Sequence, residues 1–126
     1  MELLVAIIIV TILTKAALPG YGRMVEKSRM RDAEAKLNII YQAERIYDLD
    51  NNIYATRAQL IPAYSPEPNT PDFTFTITST DFNTGYTATA TRNGSGKYGG
   101  STISLTQAFS GTYTYSGEYN ANGLPN

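Results

Sequence analysis

The chain has 126 residues, with ten basic against eleven acidic side chains and a formal net charge of −1. It has no cysteine and no histidine, which excludes disulfides, thiol chemistry, and the commonest metal ligand and general base. So even a charge balance supplies no basic field, so a specific nucleic-acid ligand is not expected; the length suits one domain with an appended helix.

Residues 1–22 read MELLVAIIIVTILTKAALPGYG. The run from Leu3 to Leu13 is apolar except for Thr11, and Thr14, Lys15, Ala16, Ala17 and Leu18 lead to Pro19-Gly20. A helix over Glu2–Leu18 would be roughly 25 Å long, slightly short of the roughly 30 Å hydrocarbon core of a bilayer. Three identities compete for it. A signal peptide begins with basic residues, whereas an acid comes first here. A buried core helix that is apolar all round needs cover on every side, which so small a chain can hardly supply. A membrane helix that later packs among copies of itself satisfies both facts.

Two charges sit in this stretch. A charge at the bilayer centre costs about 2.5–3.5 kcal/mol on insertion scales, and a helix N-terminus offsets part of that for an acid. Glu2 either rests among headgroups or awaits a positive partner in an assembly. Lys15 either snorkels along its stem or pairs with a neighbour's acid. Pro19, with Gly20 and Gly22, predicts a break in the helix between residues 14 and 22.

Residues 23–50 read as an amphipathic helix. Ala33, Leu37, Ile40, Tyr41, Glu44 and Tyr47 recur at three- and four-residue spacing, and Ala35, Ile39, Ala43 and Ile46 form a second stripe. Two stripes imply contact on two sides, with the chain's own domain and with neighbouring subunits. The charges from Arg23 to Lys36, including Glu26, read as a solvated face. Asp50-Asn51-Asn52 stops the helix. Asp48, Asp50 and Asn52 alternate like the start of a calcium loop, but Ile53 and Gln59 stand where that loop needs glycine and an acid, so no metal is expected.

Residues 51–72 form a connecting loop pinned by Tyr54 and Leu60, with four prolines between Pro62 and Pro71. From Phe73 the period becomes two. Phe73, Phe75 and Ile77 alternate with threonines, as do Tyr86, Ala88 and Ala90, then Ile103 and Leu105, and last Tyr113 and Tyr115. One apolar and one Thr-rich face describe an antiparallel sheet covered on one side. The expected architecture is therefore α+β: a helix over 23–50 laid across a four-stranded antiparallel sheet spanning 73–116. Residues 117–126 read as a polar surface tail. Asn93-Gly94-Ser95 is a turn that also fits a glycosylation acceptor.

The stretch Glu2-Leu3-Leu4-Val5-Ala6-Ile7-Ile8, the stretch Ala16-Ala17-Leu18-Pro19-Gly20-Tyr21, and the pattern Ala43-Glu44…Tyr47…Asn51-Asn52…Tyr54-Ala55 resemble the N-terminal half of type IV pilins and type II secretion pseudopilins. In that family the acid and the proline lie seventeen residues apart, as Glu2 and Pro19 do here. The resemblance implies a leader and three further mature residues ahead of Glu2, cleaved by a prepilin peptidase before a methylated residue. It implies a subunit of a helical filament, held first in the inner membrane and then extruded to the cell surface by a platform protein and an ATPase. Glu2, Leu3, Leu4, Val5, Ile7, Ile8, Ile12 and Lys15 would lie in the filament core, with Glu2 on a neighbour's α-amine. Leu37, Ile40, Tyr41 and Tyr47 would be the core face of the head helix. The chain departs from the family at Thr11, where a glycine is common, and at Lys15. It also lacks the disulfide with which some pilins close a C-terminal loop, and after Asp81 its only acid is Glu118. That scarcity favours a pilin over a pseudopilin with an acidic calcium loop.

No nucleophile, base or paired carboxylate supports an enzyme, and no cofactor is expected. The tyrosines serve packing. A homo-oligomeric filament is the leading function. A secretion pseudopilin or minor pilin is the alternative, followed by a monomeric membrane-anchored binding module, which would need a pocket or basic stripe that the sequence does not display.

Overall fold

The computed structural model describes residues 1–106 and 112–124. Helix α1 spans Glu2–Asn51 and a short α2 spans Arg57–Leu60. Strands β1 (Phe73–Thr78), β2 (Thr87–Arg92), β3 (Thr102–Thr106) and β4 (Thr112–Ser116) form one antiparallel sheet in sequence order. The α+β architecture is the one the periodicities predict. Residues 107–111 of the predicted sheet region and 125–126 of the predicted tail lie outside the described residues.

The second half of α1 lies across β2 and β3. Met30, Ala33, Leu37, Ile40 and Ala43 pack on Phe73, Phe75, Ala88, Ala90, Ile103 and Leu105, and Leu37 and Ile40 are 0% exposed. Alanines at 88 and 90 leave room on β2 for the helix to approach. Tyr41 and Tyr47 are half-buried against the same core, and Tyr47 meets Tyr64 edge-on at 5.2 Å. Of the second stripe, Ala43 joins the core while Ile39 and Ile46 stay exposed.

The helix ends where the Asx residues predict. Asn52 adopts a left-handed conformation, φ 56°, and its N–H closes on Asp48 O at 2.7 Å. The next turn was not anticipated: Gln59 Oε1 accepts from Thr56 N at 2.9 Å, capping α2 and seating the fully buried Leu60.

Two expectations are corrected. The helix does not break near Pro19: α1 runs unbroken through Pro19, Gly20 and Gly22. A proline deletes one helical hydrogen bond, and the ladder continues on both sides of it, so the loss is local. Nor does the whole of the polar tail lie on the surface. Tyr119 and Leu124 are 3% and 5% exposed, and the Tyr119 ring lies 6.2 Å from Phe73 and 6.3 Å from Tyr98. Aromatic burial outweighs the polarity of the residues around it.

The outer face of the sheet is a lattice of hydroxyls. Thr74, Thr91, Thr102 and Ser116 form one cross-strand row; Thr76, Thr89, Ser104 and Thr114 a second; Thr78, Thr87, Thr106 and Thr112 a third. Thr89 and Ser104 bond at 2.9 Å and Thr102 and Ser116 at 2.6 Å. Such pairs hold neighbouring strands in register without apolar cover.

Candidate functional site

Two features stand out: the apolar half of α1, and a cleft where that half meets the head. An 18-residue apolar window within α1 has none of its residues buried. Leu3, Leu4, Val5, Ile7, Ile8 and Ile12 are all exposed, as are Glu2 and Lys15. The structure thus places every predicted assembly residue on one free-standing rod and brings none of them into the head.

The cleft, about 590 Å³, lies between α1 and the β2–β3 turn. Its lining includes Arg23, Arg29, Arg92 and Lys97 against one acid, Glu26, with Pro19, Gly22 and Tyr98 at its walls. Glu26, expected on a solvated face, is 3% exposed. Its Oε1 accepts from Arg92 Nε at 2.8 Å and from Tyr119 OH at 2.6 Å, and its Oε2 accepts from Arg29 at 3.4 Å. Arg92 in turn donates to Asp72 O at 3.0 Å and Asn93 O at 3.1 Å, and its guanidinium lies 5.6 Å from the centroid of the Phe73 ring. Asp72 ion-pairs with both Arg29 and Arg92. A buried carboxylate persists only when paired and hydrogen-bonded, which these residues accomplish together. Burial pushes the Glu26 carboxyl up, but the hydrogen bonds from Arg92 and Tyr119 and the charge of Arg92 hold it below the usual range. The same pairing raises Arg92, and burial with the bond to Glu26 raises Tyr119.

At the cleft's outer wall Lys97 is exposed, its Nζ 5.5 Å from the Tyr98 ring centroid. Exposed Lys27 lies one turn along α1, beside Gly123. Lys97 is thus an exposed basic group at the mouth of a cleft whose Arg29 and Arg92 already pair with Glu26 and Asp72. Net charge averages over the molecule what the fold separates in space.

A second buried acid lies on the opposite end of the head. Glu44 is fully buried, and its Oε2 accepts from Ala55 N at 2.8 Å. Its Oε1 and the nearby Tyr86 hydroxyl have no hydrogen-bond partner among the described residues. Burial pushes the Glu44 carboxyl up to about 7, with the Asp48 charge adding to the rise. Burial and the Glu44 charge likewise raise Tyr86.

Asn93 is held by its own amide: Nδ2 donates to Thr70 O and Pro71 O, both at 3.3 Å, and Oδ1 accepts from Thr74 at 2.8 Å. Gly94 turns the chain with φ 94°. A glycan on Asn93 would displace those bonds. Asp50 accepts from Tyr64 OH at 3.2 Å, a helix-terminus role. Among the described residues no cluster of acids is arranged to hold a metal.

The Glu26–Arg92–Tyr119 cluster was not visible in the sequence, because its members lie 66 and 93 residues apart. Glu44 had left a trace: an acid in the stripe Ile40, Glu44, Tyr47, at positions that face the core.

A family model described as "Type IV minor pilin ComP, DNA uptake sequence receptor" matches residues 19–104, more than half of the chain. Neither a curated protein nor a solved structure matches it.

Proposed function

The chain belongs to the type IV minor pilin ComP family, and from that premise we propose that it is a subunit of a type IV pilus-like filament. It waits in the inner membrane on the first half of α1 and ends on the cell surface. One observation carries this: an apolar rod with none of its residues buried, joined to a folded head. Such a rod requires lipid or copies of itself around it. Exchange of lipid for protein brings little hydrophobic gain, so close packing selects the register. Head-to-tail contacts that do not close then generate a fibre. Glu2, Leu3, Leu4, Val5, Ile7, Ile8, Ile12 and Lys15 form the core of that fibre, and Pro19, Gly20 and Gly22 are where the rod yields under tension. A prepilin peptidase, a platform protein and an ATPase are the partners this requires. Electron microscopy of sheared surface material, with mass spectrometry of its subunits, tests it. Absence of the chain from every filament overturns it.

Within that function, a minor, DNA-contacting pilin is favoured over a major subunit or a secretion pseudopilin by the basic cleft. Its lining carries four basic side chains, of which Arg29 and Arg92 pair with Glu26 and Asp72, and the matched family is described as a "DNA uptake sequence receptor". Basic side chains at a cleft mouth suit phosphate contacts, which position a duplex without reading its sequence. On this basis nucleic acid is a ligand, against the expectation from net charge. Sparse occurrence of the chain in sheared filaments supports the minor role, and dominance in them supports the major one.

A further inference from the structure

Glu44 and Tyr86 both bury a polar side-chain atom that finds no hydrogen-bond partner among the described residues. Glu44 is 0% exposed and Tyr86 3%. A buried polar group without a partner is costly, and a buried charge far more so. Among the described residues the groups that face the pair include no cation. On α1, Tyr41 stands one turn before Glu44 and Asp48 one turn after it, Tyr54 comes from the following loop, and Tyr86 stands just ahead of β2. Asp48 adds to the cost of a charge at Glu44, and the tyrosines bring hydroxyls rather than charge.

The segment lying over Glu44 is short and held by few bonds. Ala55 N donates to Glu44 Oε2 at 2.8 Å, and Tyr54 N donates to Phe82 O at 3.0 Å. The Tyr54 ring lies 5.1 Å from the Tyr86 ring. The four-residue α2 then carries Leu60 into the core. Ile40 and Leu37, one and two turns earlier in α1, are buried independently of that Ala55 bond.

We propose that residues 53–60 are a latch worked by Glu44, closed over its carboxyl while that group is protonated and lifted when it ionises and takes up water. Lifting gives up the Ala55 bond and the burial of Leu60, and it hydrates the charge. The open form uncovers Ala55, Leu60 and Tyr86, an apolar surface that the closed form hides. Burial, with the Asp48 charge, pushes the Glu44 carboxyl up to about 7, so the latch works near neutral pH. The chain has no histidine and no cysteine, so no other side chain ordinarily titrates in that range.

Hydrogen exchange of the full chain in detergent at pH 6 and pH 8.5, with amide rates corrected for base catalysis, tests the latch. A carboxyl that titrates near 7 when covered and near 4.5 when free favours opening about tenfold more at pH 8.5 than at pH 6. Protection of residues 53–60 therefore falls about tenfold, while protection of residues 37–40 holds within about twofold. Glu44→Gln abolishes the fall. Equal protection of residues 53–60 at the two pH values overturns the latch; a water held between Glu44 and Tyr86 would give that result. An undiminished fall in Glu44→Gln overturns it as well, and so does an equal fall at residues 37–40, because opening is then global. Since Glu44→Gln can fail to fold, a second measurement uses the unaltered chain and trypsin. Cleavage after Arg57, relative to cleavage after the exposed Lys97, rises about tenfold between the same pH values, because proteolysis follows the open population. A constant ratio overturns the latch.

Discussion

Tyr119, on the segment after β4, donates a 2.6 Å hydrogen bond to Glu26 Oε1 on α1, 93 residues earlier in the chain. With Glu118 N bonded to Ser101 Oγ at 3.0 Å and Arg23 bonded to Leu124 O, it ties the C-terminal segment to the helix. The chain has no cysteine, so this polar clasp takes the place of a covalent closure. Unlike a disulfide it acts only in the folded state and depends on the charge of Glu26.

Tyr119→Phe keeps the ring and removes the donor to a buried carboxylate. The expected loss is about 1.5–3 kcal/mol, the range for hydrogen bonds to charged groups. Urea unfolding of the detergent-solubilised chain measures it. An unchanged midpoint would mean that water replaces the hydroxyl and that the clasp is incidental.

Gly117 has φ 70°, and a Cβ there would meet Ser101 Oγ at 2.6 Å. Gly117→Ala combines a strained backbone with a clash against a buried residue, so a loss of about 1–3 kcal/mol is expected. Thermal unfolding followed by near-ultraviolet circular dichroism checks it. A midpoint within error of the unaltered protein refutes the strain.

Glu44 makes stability depend on pH. Its folded pKa of about 7 exceeds the 4.5 expected when unfolded, so between those values the folded state holds more protons. Stability from this group is complete below about pH 4.5, falls as pH rises to about 7, and is level above that, a total of about 3 kcal/mol. Glu44→Gln retains an acceptor for Ala55 N and cannot titrate. Urea midpoints at pH 5 and pH 8 should therefore differ less in the variant. Equal differences in both proteins would remove Glu44 as the cause. Glu26, held below the usual range, acts in the opposite sense: its contribution is present above about pH 4.5 and is lost as the solution is made more acidic.

Lys97 lines the cleft, Lys27 lies in a neighbouring pocket beside Gly123, and both are exposed, so their loss leaves the core intact. If the cleft contacts duplex DNA, Lys97→Ala and Lys27→Ala each weaken binding across all sequences and reduce the salt dependence by about one counterion. Fluorescence anisotropy with labelled duplex at several salt concentrations reads both. Binding by the unaltered chain that neither variant changes would place the DNA elsewhere, and no binding at all would remove the DNA-contacting role.

Local periodicity was enough to locate both halves of α1, all four strands and the α+β class. Side-chain spacing of three to four, or of two, is written in adjacent residues and survives any tertiary context that buries one face. The free-standing apolar rod was equally legible, because no stretch of the head is apolar enough to cover it. What only the folded molecule decided concerns contacts between distant positions. Glu26 reads as one surface charge among many until Arg92 and Tyr119 arrive from the far side of the chain. The tail reads as polar until Tyr119 and Leu124 find the helix. The continuity of α1 through Pro19 was decided by the ladder on either side, which local propensity underweights. The physical reason is common to all three. A polar or helix-breaking residue announces its cost in the sequence, whereas the partners that offset the cost are assembled only by the fold.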